Sequence, residues 1–85
     1  MEQEQTKIPI ERIGALIGVS GLTKKTIEKK GKVKIEIDSE NGEVEITKST
    51  DPVLLMRVQS IVKAIGRGFS PEKALKLFEE ESLII

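Results

Sequence analysis

Residues 8–31 have the sequence IPIERIGALIGVSGLTKKTIEKKG, and this stretch decides which fold the chain can adopt. Ile13, Leu16 and Ile17 recur at helical spacing and stop at Gly18, which predicts a helix of about two turns. A second glycine follows three residues later, and glycines at this spacing interrupt a helix. The stretch therefore predicts two short helices separated by a glycine-bounded loop.

The loop is Gly18-Val19-Ser20-Gly21, and a second helix is predicted after it from Leu22 to Lys29. We expect Gly31 to end that helix in a left-handed conformation. The loop glycines let the backbone approach a sugar-phosphate chain, and the start of the next helix presents amide donors to phosphate oxygens. A tight turn without any ligand would have the same spacing, because a chance Gly-x-x-Gly is common in a chain with seven glycines.

A hairpin of two strands is predicted after the helical pair. Apolar and polar residues alternate over 33–38 and again over 43–47, and Asn41-Gly42 between them is a strong hairpin signal. A two-residue turn would place residue 37 opposite residue 46 and residue 38 opposite residue 45, with both apolar sets on one face. The other face would carry Glu36, Asp38 and Glu45. These carboxylates could bind a hard cation, but a bare sheet face offers no six-ligand cage, which favours a solvated surface.

The remaining elements complete the order. A short first strand is predicted over 6–10, and a third helix begins at Thr50 or Asp51 with a proline in its first turn. A fourth helix over 71–81 repeats this signal at Ser70-Pro71-Glu72. The order strand, helix, helix, strand, strand, helix, with one appended helix, predicts an α+β fold. In it, an antiparallel three-stranded sheet is covered on one face by helices.

Composition excludes several classes of protein. The chain has no Cys and no His, so thiol nucleophiles, imidazole bases and the usual transition-metal ligands are absent. We therefore expect neither an enzyme nor a cofactor. No apolar run approaches the roughly 20 residues that a membrane span needs, so we expect a cytoplasmic protein with no membrane contact.

The charge is balanced overall but locally polarised. There are 14 basic and 14 acidic residues, yet six lysines lie between residues 24 and 34 with Glu28 as the only acid among them. Five acids and no base follow between residues 36 and 45. The lysines could neutralise phosphates, or they could form a solvated helix face.

Domain boundaries follow from the same patterns. We expect a flexible segment over 1–5, one domain over 6–82, and the start of a linker to a second domain at 83–85. The apolar end Leu83-Ile84-Ile85 could instead fold back onto the core.

The run around the loop resembles the core signature of type I KH domains over roughly residues 6–66. The residues that carry the resemblance are Ile8-Pro9, Ile13-Gly14, Leu16-Ile17-Gly18, the loop itself and Ile27-Glu28. The resemblance implies that single-stranded RNA binds in a groove between the second helix and the strand at 33–38, with the loop holding about four nucleotides. The candidate RNA-binding residues are the loop residues Gly18, Val19, Ser20 and Gly21, together with Lys24, Lys25, Lys32 and Lys34, whose charges could neutralise phosphates.

Residues 66–75, GRGFSPEKAL, give a narrower match. They resemble the segment that closes the first KH domain of archaeal and eukaryotic small-subunit ribosome-assembly KH proteins of the Dim-two or partner-of-Nob type. This resemblance implies a role near the 3′ end of small-subunit rRNA and a second KH domain downstream. It also implies the alpha subunit of a translation initiation factor as a partner.

Three features depart from the family pattern and predict weaker RNA binding. Val19 and Ser20 are uncharged where the family is rich in Lys or Arg, and Lys24 replaces an aliphatic residue. The hairpin turn is short and acidic. A KH domain that serves mainly as a protein-protein or interdomain module is therefore the alternative.

Two further choices stay open near the C-terminus. The Arg67 side chain could contact a phosphate or a helix C-terminal carbonyl. Four apolar residues of this region could be core or could form a partner surface: Phe69, Ala74, Leu75 and Phe78.

Overall fold

The computed structural model of the chain describes residues 2–78, with the side chains of 6–76 and of Phe78. Its main elements are β1 (Glu2–Lys7), α1 (Ile13–Ile17), α2 (Leu22–Gly31), β2 (Lys34–Asp38), β3 (Glu43–Ser49), α3 (Pro52–Gly66) and α4 (Pro71–Leu75). Short 3-10 turns at Ile10–Arg12, Val19–Gly21 and Lys76–Phe78 precede α1, join α1 to α2 and extend α4. The predicted element order and the α+β class are confirmed.

The three strands form one antiparallel sheet in the order β1-β3-β2. Alternate residues Ile35, Val44 and Ile46 are buried beneath the helices. The apolar stripe of α3 packs into the same core through Leu55, Val58, Ile61, Val62 and Ile65. The sheet thus buries one face, and β2 lies at one of its edges.

The first strand differs from the prediction. It runs from Glu2 to Lys7 instead of over 6–10, and residues 2–5, predicted to lie outside the domain, are paired with β3. The reason lies at Ile8-Pro9. The Ile8 N–H makes the last hydrogen bond in this register, donating to Gly42 O at 2.9 Å, and the Ile8 side chain is buried. Pro9 has no N–H to continue the pairing. The strand therefore ends before Ile8-Pro9. Its polar residues join the sheet through backbone pairing with β3.

The predicted hairpin register is wrong by two residues. Asp38 lies opposite Glu43, and residue 37 lies opposite residue 44, so the loop contains four residues, 39–42. The Asp38 carboxylate accepts hydrogen bonds from the backbone N–H of Glu40 at 3.0 Å and of Asn41 at 3.3 Å. It also accepts one from Asn41 Nδ2 at 3.0 Å. This capped loop replaces the two-residue turn, and a shift of two leaves every side chain on its predicted face.

Gly31 does not end α2 in the way predicted. It is the last residue of the helix and is buried, and the left-handed residue is the following one, Lys32, with φ 55°. A Cβ atom at residue 31 would clash with Cγ2 of Val58 on α3. The glycine therefore allows close packing of α2 against α3.

The predicted helix starts at Asp51 and Ser70 are confirmed. Asp51 Oδ1 accepts from the N–H of Val53 at 2.9 Å, and Ser70 Oγ accepts from the N–H of Lys73 at 3.3 Å. The fourth helix ends as a 3-10 turn at Phe78, and the rest of its predicted range, 79–81, lies outside the described residues. The predicted boundary at residue 82 and the segment 83–85 lie outside them as well. Across residues 2–78, no helix combines the length and apolar character needed to cross a membrane.

Candidate nucleic-acid interface

The loop Gly18-Val19-Ser20-Gly21 has a backbone that requires its glycines. Gly18 has φ 78° and Gly21 has φ 75°, and Ser20 between them has φ 53°. A Cβ atom at residue 18 would lie 2.8 Å from both the Cβ and the backbone N of Thr23, closer than real atoms approach. At residue 21 the nearest atom is Lys25 Cε at 4.0 Å. Gly18 is therefore needed for the turn, whereas Gly21 leaves open space for a ligand.

The tip of the loop is exposed and apolar. Val19 is 85% exposed, and Leu22 at the start of α2 is 65% exposed. No loop residue carries a charge, so a phosphate would be bound by backbone amides and by the positive end of α2. Contacts with sugars and bases would come from the apolar side chains.

Glu28 neutralises one of the two lysines nearest the loop. Its Oε2 atom lies 3.4 Å from Lys24 Nζ and also accepts a hydrogen bond from the backbone N–H of Ile35 at 2.8 Å. Ile35 is on the edge strand β2, so Glu28 bridges the two elements that border the predicted groove. Sequence reasoning did not assign Glu28 a role, although its position as the only acid among six lysines was a usable signal.

The four predicted lysines do not form one cluster. Lys24 and Lys25 lie in the first turns of α2, and Lys25 extends back toward Gly21. Lys32 follows the other end of this ten-residue helix, about 15 Å along its axis at 1.5 Å per residue. Lys34 alternates with buried Ile35 and so lies on the outer face of the sheet. The structure places only Lys24 and Lys25 beside the loop.

A cleft of about 520 Å³ separates the loop from the start of α4. Its walls come from Gly18, Val19, Leu22 and Thr23 on one side and from Ser70, Pro71, Glu72 and Leu75 on the other. The appended helix is therefore close enough to the loop to border any ligand bound there.

The carboxyl end of α3 is held by Arg12 rather than by Arg67. Arg12 Nε donates to Ile65 O at 2.8 Å, and Arg12 Nη2 donates to Phe69 O at 2.9 Å. The Arg67 side chain has no hydrogen bond to a residue between 2 and 78. The helix-carbonyl role considered for Arg67 is thus taken by a residue that precedes α1.

The outer face of the sheet is acidic, but its pairs differ from those predicted. Glu36 lies opposite Glu45, and Asp38 lies opposite Glu43. In the described part of the chain, no group of three or more His, Cys, Asp or Glu side chains is arranged to hold a metal ion. A solvated acidic face would disfavour a polyanion on this side.

The element order, the glycine loop and the sheet together define a type I KH fold. A model of the KH domain family matches residues 3–59, and the chain belongs to the KH domain family. Domains of this family bind single-stranded nucleic acid through their Gly-x-x-Gly loop.

The chain is similar to particular KH-domain proteins of archaea. It is 50% identical over 84 residues to a KH domain-containing protein of Methanocaldococcus jannaschii, covering 95% of this chain and 37% of that protein. Dim2p from Pyrococcus horikoshii superposes with a TM-score of 0.88 at 53% identity, over 94% of this chain and 50% of that one. A chain of the a/eIF2alpha-aDim2p-rRNA complex from the same organism superposes with a TM-score of 0.84 at 52% identity, over 93% and 46%. The chain spans half or less of the length of these relatives.

Proposed function

We propose that this KH domain binds single-stranded small-subunit rRNA near its 3′ end, as part of a cytoplasmic ribosome-assembly factor. The observation that carries the proposal is the backbone of the loop, with positive φ at Gly18, Ser20 and Gly21 and open space at Gly21. The similarity to Dim2p, and to a chain of a complex that contains rRNA, supports the ribosomal context. That complex also contains a/eIF2alpha, which supports an initiation factor alpha subunit as a partner. A second KH domain in the full-length protein stays a prediction.

The loop would bind the RNA backbone with little help from charge. A phosphate at Gly21 would accept hydrogen bonds from the first amides of α2, with Lys25 as the nearest available cation. Val19 would pack against a sugar or a base. Because few cations take part, the contribution of the loop to the salt dependence should be small, with a log-log slope of about −0.7 for each phosphate that a lysine neutralises.

The loop variant Val19→Asp/Ser20→Asp tests the proposal. Two carboxylates at the tip would repel the phosphate backbone, so we expect the affinity for an oligonucleotide from the 3′ end of small-subunit rRNA to fall more than about tenfold. Fluorescence anisotropy measures the affinity, and circular dichroism checks the fold. The control Thr50→Asp/Met56→Asp adds the same charge at two exposed residues that lie outside the loop and the hairpin turn. An unchanged affinity of the loop variant would refute the proposal.

A domain that serves mainly as a protein-interaction module is the second candidate. The contact that favours it is the Lys24–Glu28–Ile35 bridge, which leaves less free charge and one fewer free edge amide beside the loop. Amide chemical shifts measured with RNA separate the two functions. Shifts clustered at residues 18–35 support RNA binding, and their absence there supports the interaction module.

A further inference from the structure

Two adjoining clefts at the carboxyl end of α3 are lined by cations. One, of about 650 Å³, lies between α3 and the segment 6–9, and the other, of about 420 Å³, lies between α3 and α4. Lys63 and Arg67 line both, Lys73 lines the second, and no described residue lining either cleft is acidic. We call Lys63, Arg67, Phe69 and Lys73 the α3 patch. Lys7 borders the first cleft as well, but it lies opposite Glu43 in the sheet and is left out.

The cations of the α3 patch are available to a ligand. Lys63, Arg67 and Lys73 are all exposed, and none has an ion pair or side-chain hydrogen bond within the part of the chain that the structure describes. Lys24 beside the loop is paired with Glu28 at 3.4 Å instead. Three available cations therefore lie at these clefts, whereas beside the loop Lys24 is paired and Lys25 remains available.

Phe69 adds an aromatic ring to these cations on a fixed backbone. Its N–H donates to Ala64 O at 3.0 Å, and Gly68, with φ 111°, donates to Ile65 O at 3.1 Å. These two bonds form a Schellman C-cap, and Arg12 holds the Phe69 carbonyl at 2.9 Å. The side chain is nevertheless 54% exposed, and leaving apolar surface of this size in water is unfavourable.

We infer that the α3 patch is a second binding site for single-stranded RNA, in which Lys63, Arg67 and Lys73 contact phosphates and a base stacks on Phe69. Cations beside an exposed aromatic ring are the combination by which proteins bind single strands without reading sequence. The site is separate from the loop and does not depend on the loop binding RNA. One RNA could reach both, because Ser70, Pro71 and Glu72 border the loop cleft while Phe69 and Lys73 border the patch.

The test uses a 12-nucleotide oligouridine and a 12-base-pair RNA duplex as probes. Phe69→Leu keeps an apolar side chain but removes the ring, so single-strand affinity should fall about fivefold or more. Phe69→Trp should retain that affinity, because tryptophan also stacks. Duplex affinity should be the same for both variants, since paired bases are not free to stack. This contrast distinguishes stacking from a loss of fold.

Charge is tested by Lys63→Ser/Arg67→Ser. Removing two phosphate contacts should make the log-log salt slope for the oligouridine shallower by about 1.4. The control is Lys76→Ser, which removes one exposed cation that lines neither cleft and should leave the slope unchanged. Wild-type oligouridine affinity in both Phe69→Leu and the double serine variant would overturn the inference and leave the patch as a surface for a protein partner.

The loop variant separates this inference from the proposed function. If Val19→Asp/Ser20→Asp binds the oligouridine normally while the patch variants lose it, the loop proposal fails and the α3 patch stands. The reverse result supports the loop and overturns the patch. If the loop variant and the patch variants all lose affinity for the oligouridine, the result supports one RNA strand that contacts both the loop and the α3 patch.

Discussion

Glu28 is the residue whose contacts most restrict how the loop end of α2 can bind RNA. Its Oε2 atom contacts the ammonium group of Lys24 and also accepts a hydrogen bond from the backbone N–H of Ile35. A phosphate that recruits Lys24 must compete with a carboxylate already in place. The pair is partly exposed, with side chains 31% and 21% accessible, so its own stabilisation is only about 0.3–0.5 kcal/mol.

Glu28→Gln should strengthen RNA binding. The amide oxygen can still accept from Ile35, but the negative charge is gone and Lys24 becomes available to a phosphate. We expect the log-log salt slope of RNA binding to become steeper by about 0.7, the value for one added phosphate contact. Anisotropy titrations at several salt concentrations measure it.

Glu36→Gln provides the control for this change. It removes one exposed carboxylate from the outer face of the sheet, so it lowers the net negative charge equally without touching Lys24. If both variants change the slope by the same amount, the Lys24–Glu28 pair does not limit RNA binding.

At the scale of elements, the contact between α2 and α3 depends on a missing side chain. Gly31 is buried against Val58, and the Phe78 ring lies 3.5 Å from where a Cβ would be. The two helices approach each other at this point because residue 31 has no Cβ. The sequence could suggest a helix end there, but only the position of α3 shows why glycine is required.

Gly31→Ala should destabilise the fold. Overpacking lowers the free energy of unfolding by about 1–3 kcal/mol, and the better helix propensity of alanine raises it by up to about 1 kcal/mol. We therefore expect the free energy of unfolding to fall by about 1–2 kcal/mol. Gly14→Ala is the matched control, because a Cβ there meets nothing within 4 Å. Urea unfolding measures both. Equal free energies of unfolding for the two variants would contradict the close packing of α2 on α3.

The hairpin shows that an alternating sequence pattern does not determine the strand register. Alternation predicts which face each residue occupies, but a register shifted by two gives the same faces, so the pattern cannot choose between two-residue and four-residue loops. The choice is made by Asp38, whose carboxylate caps the backbone of the loop. The hydrogen bond from the Asn41 side chain, followed by that from the Glu40 N–H, lowers the pKa of the Asp38 carboxyl from its ordinary 3.8.

This lowered pKa predicts a pH-dependent contribution to stability. Because the folded pKa lies below the unfolded one, the contribution is present above about pH 4 and is lost as pH falls through the folded pKa. Asp38→Asn should therefore be less stable than wild type at pH 7 and equally stable once Asp38 is protonated. Thermal unfolding at pH 7 and at pH 2 measures the difference. A gap of the same size at both pH values would contradict a role for the ionised carboxylate.

For the whole molecule, the fold could be predicted because each element is specified locally, by glycines, caps and apolar spacing. The loop and the starts of α3 and α4 needed no knowledge of other elements. The Glu28 bridge and the α3 patch could not be predicted in this way, since each joins residues from separate elements. Phe69 illustrates the limit, because an aromatic residue after a helix is normally core and only the Schellman cap shows that it remains exposed.

The position of Glu28 also affects how the molecule behaves toward its own copies. An edge strand with free amides is a template for pairing with a strand of another molecule, which leads to aggregation. In β2 the outward amide of Ile35 is already bonded to a carboxylate of the same chain. A second molecule that extended the sheet along β2 would have to displace this carboxylate. The contact that limits the charge beside the loop thus also protects this edge against self-association.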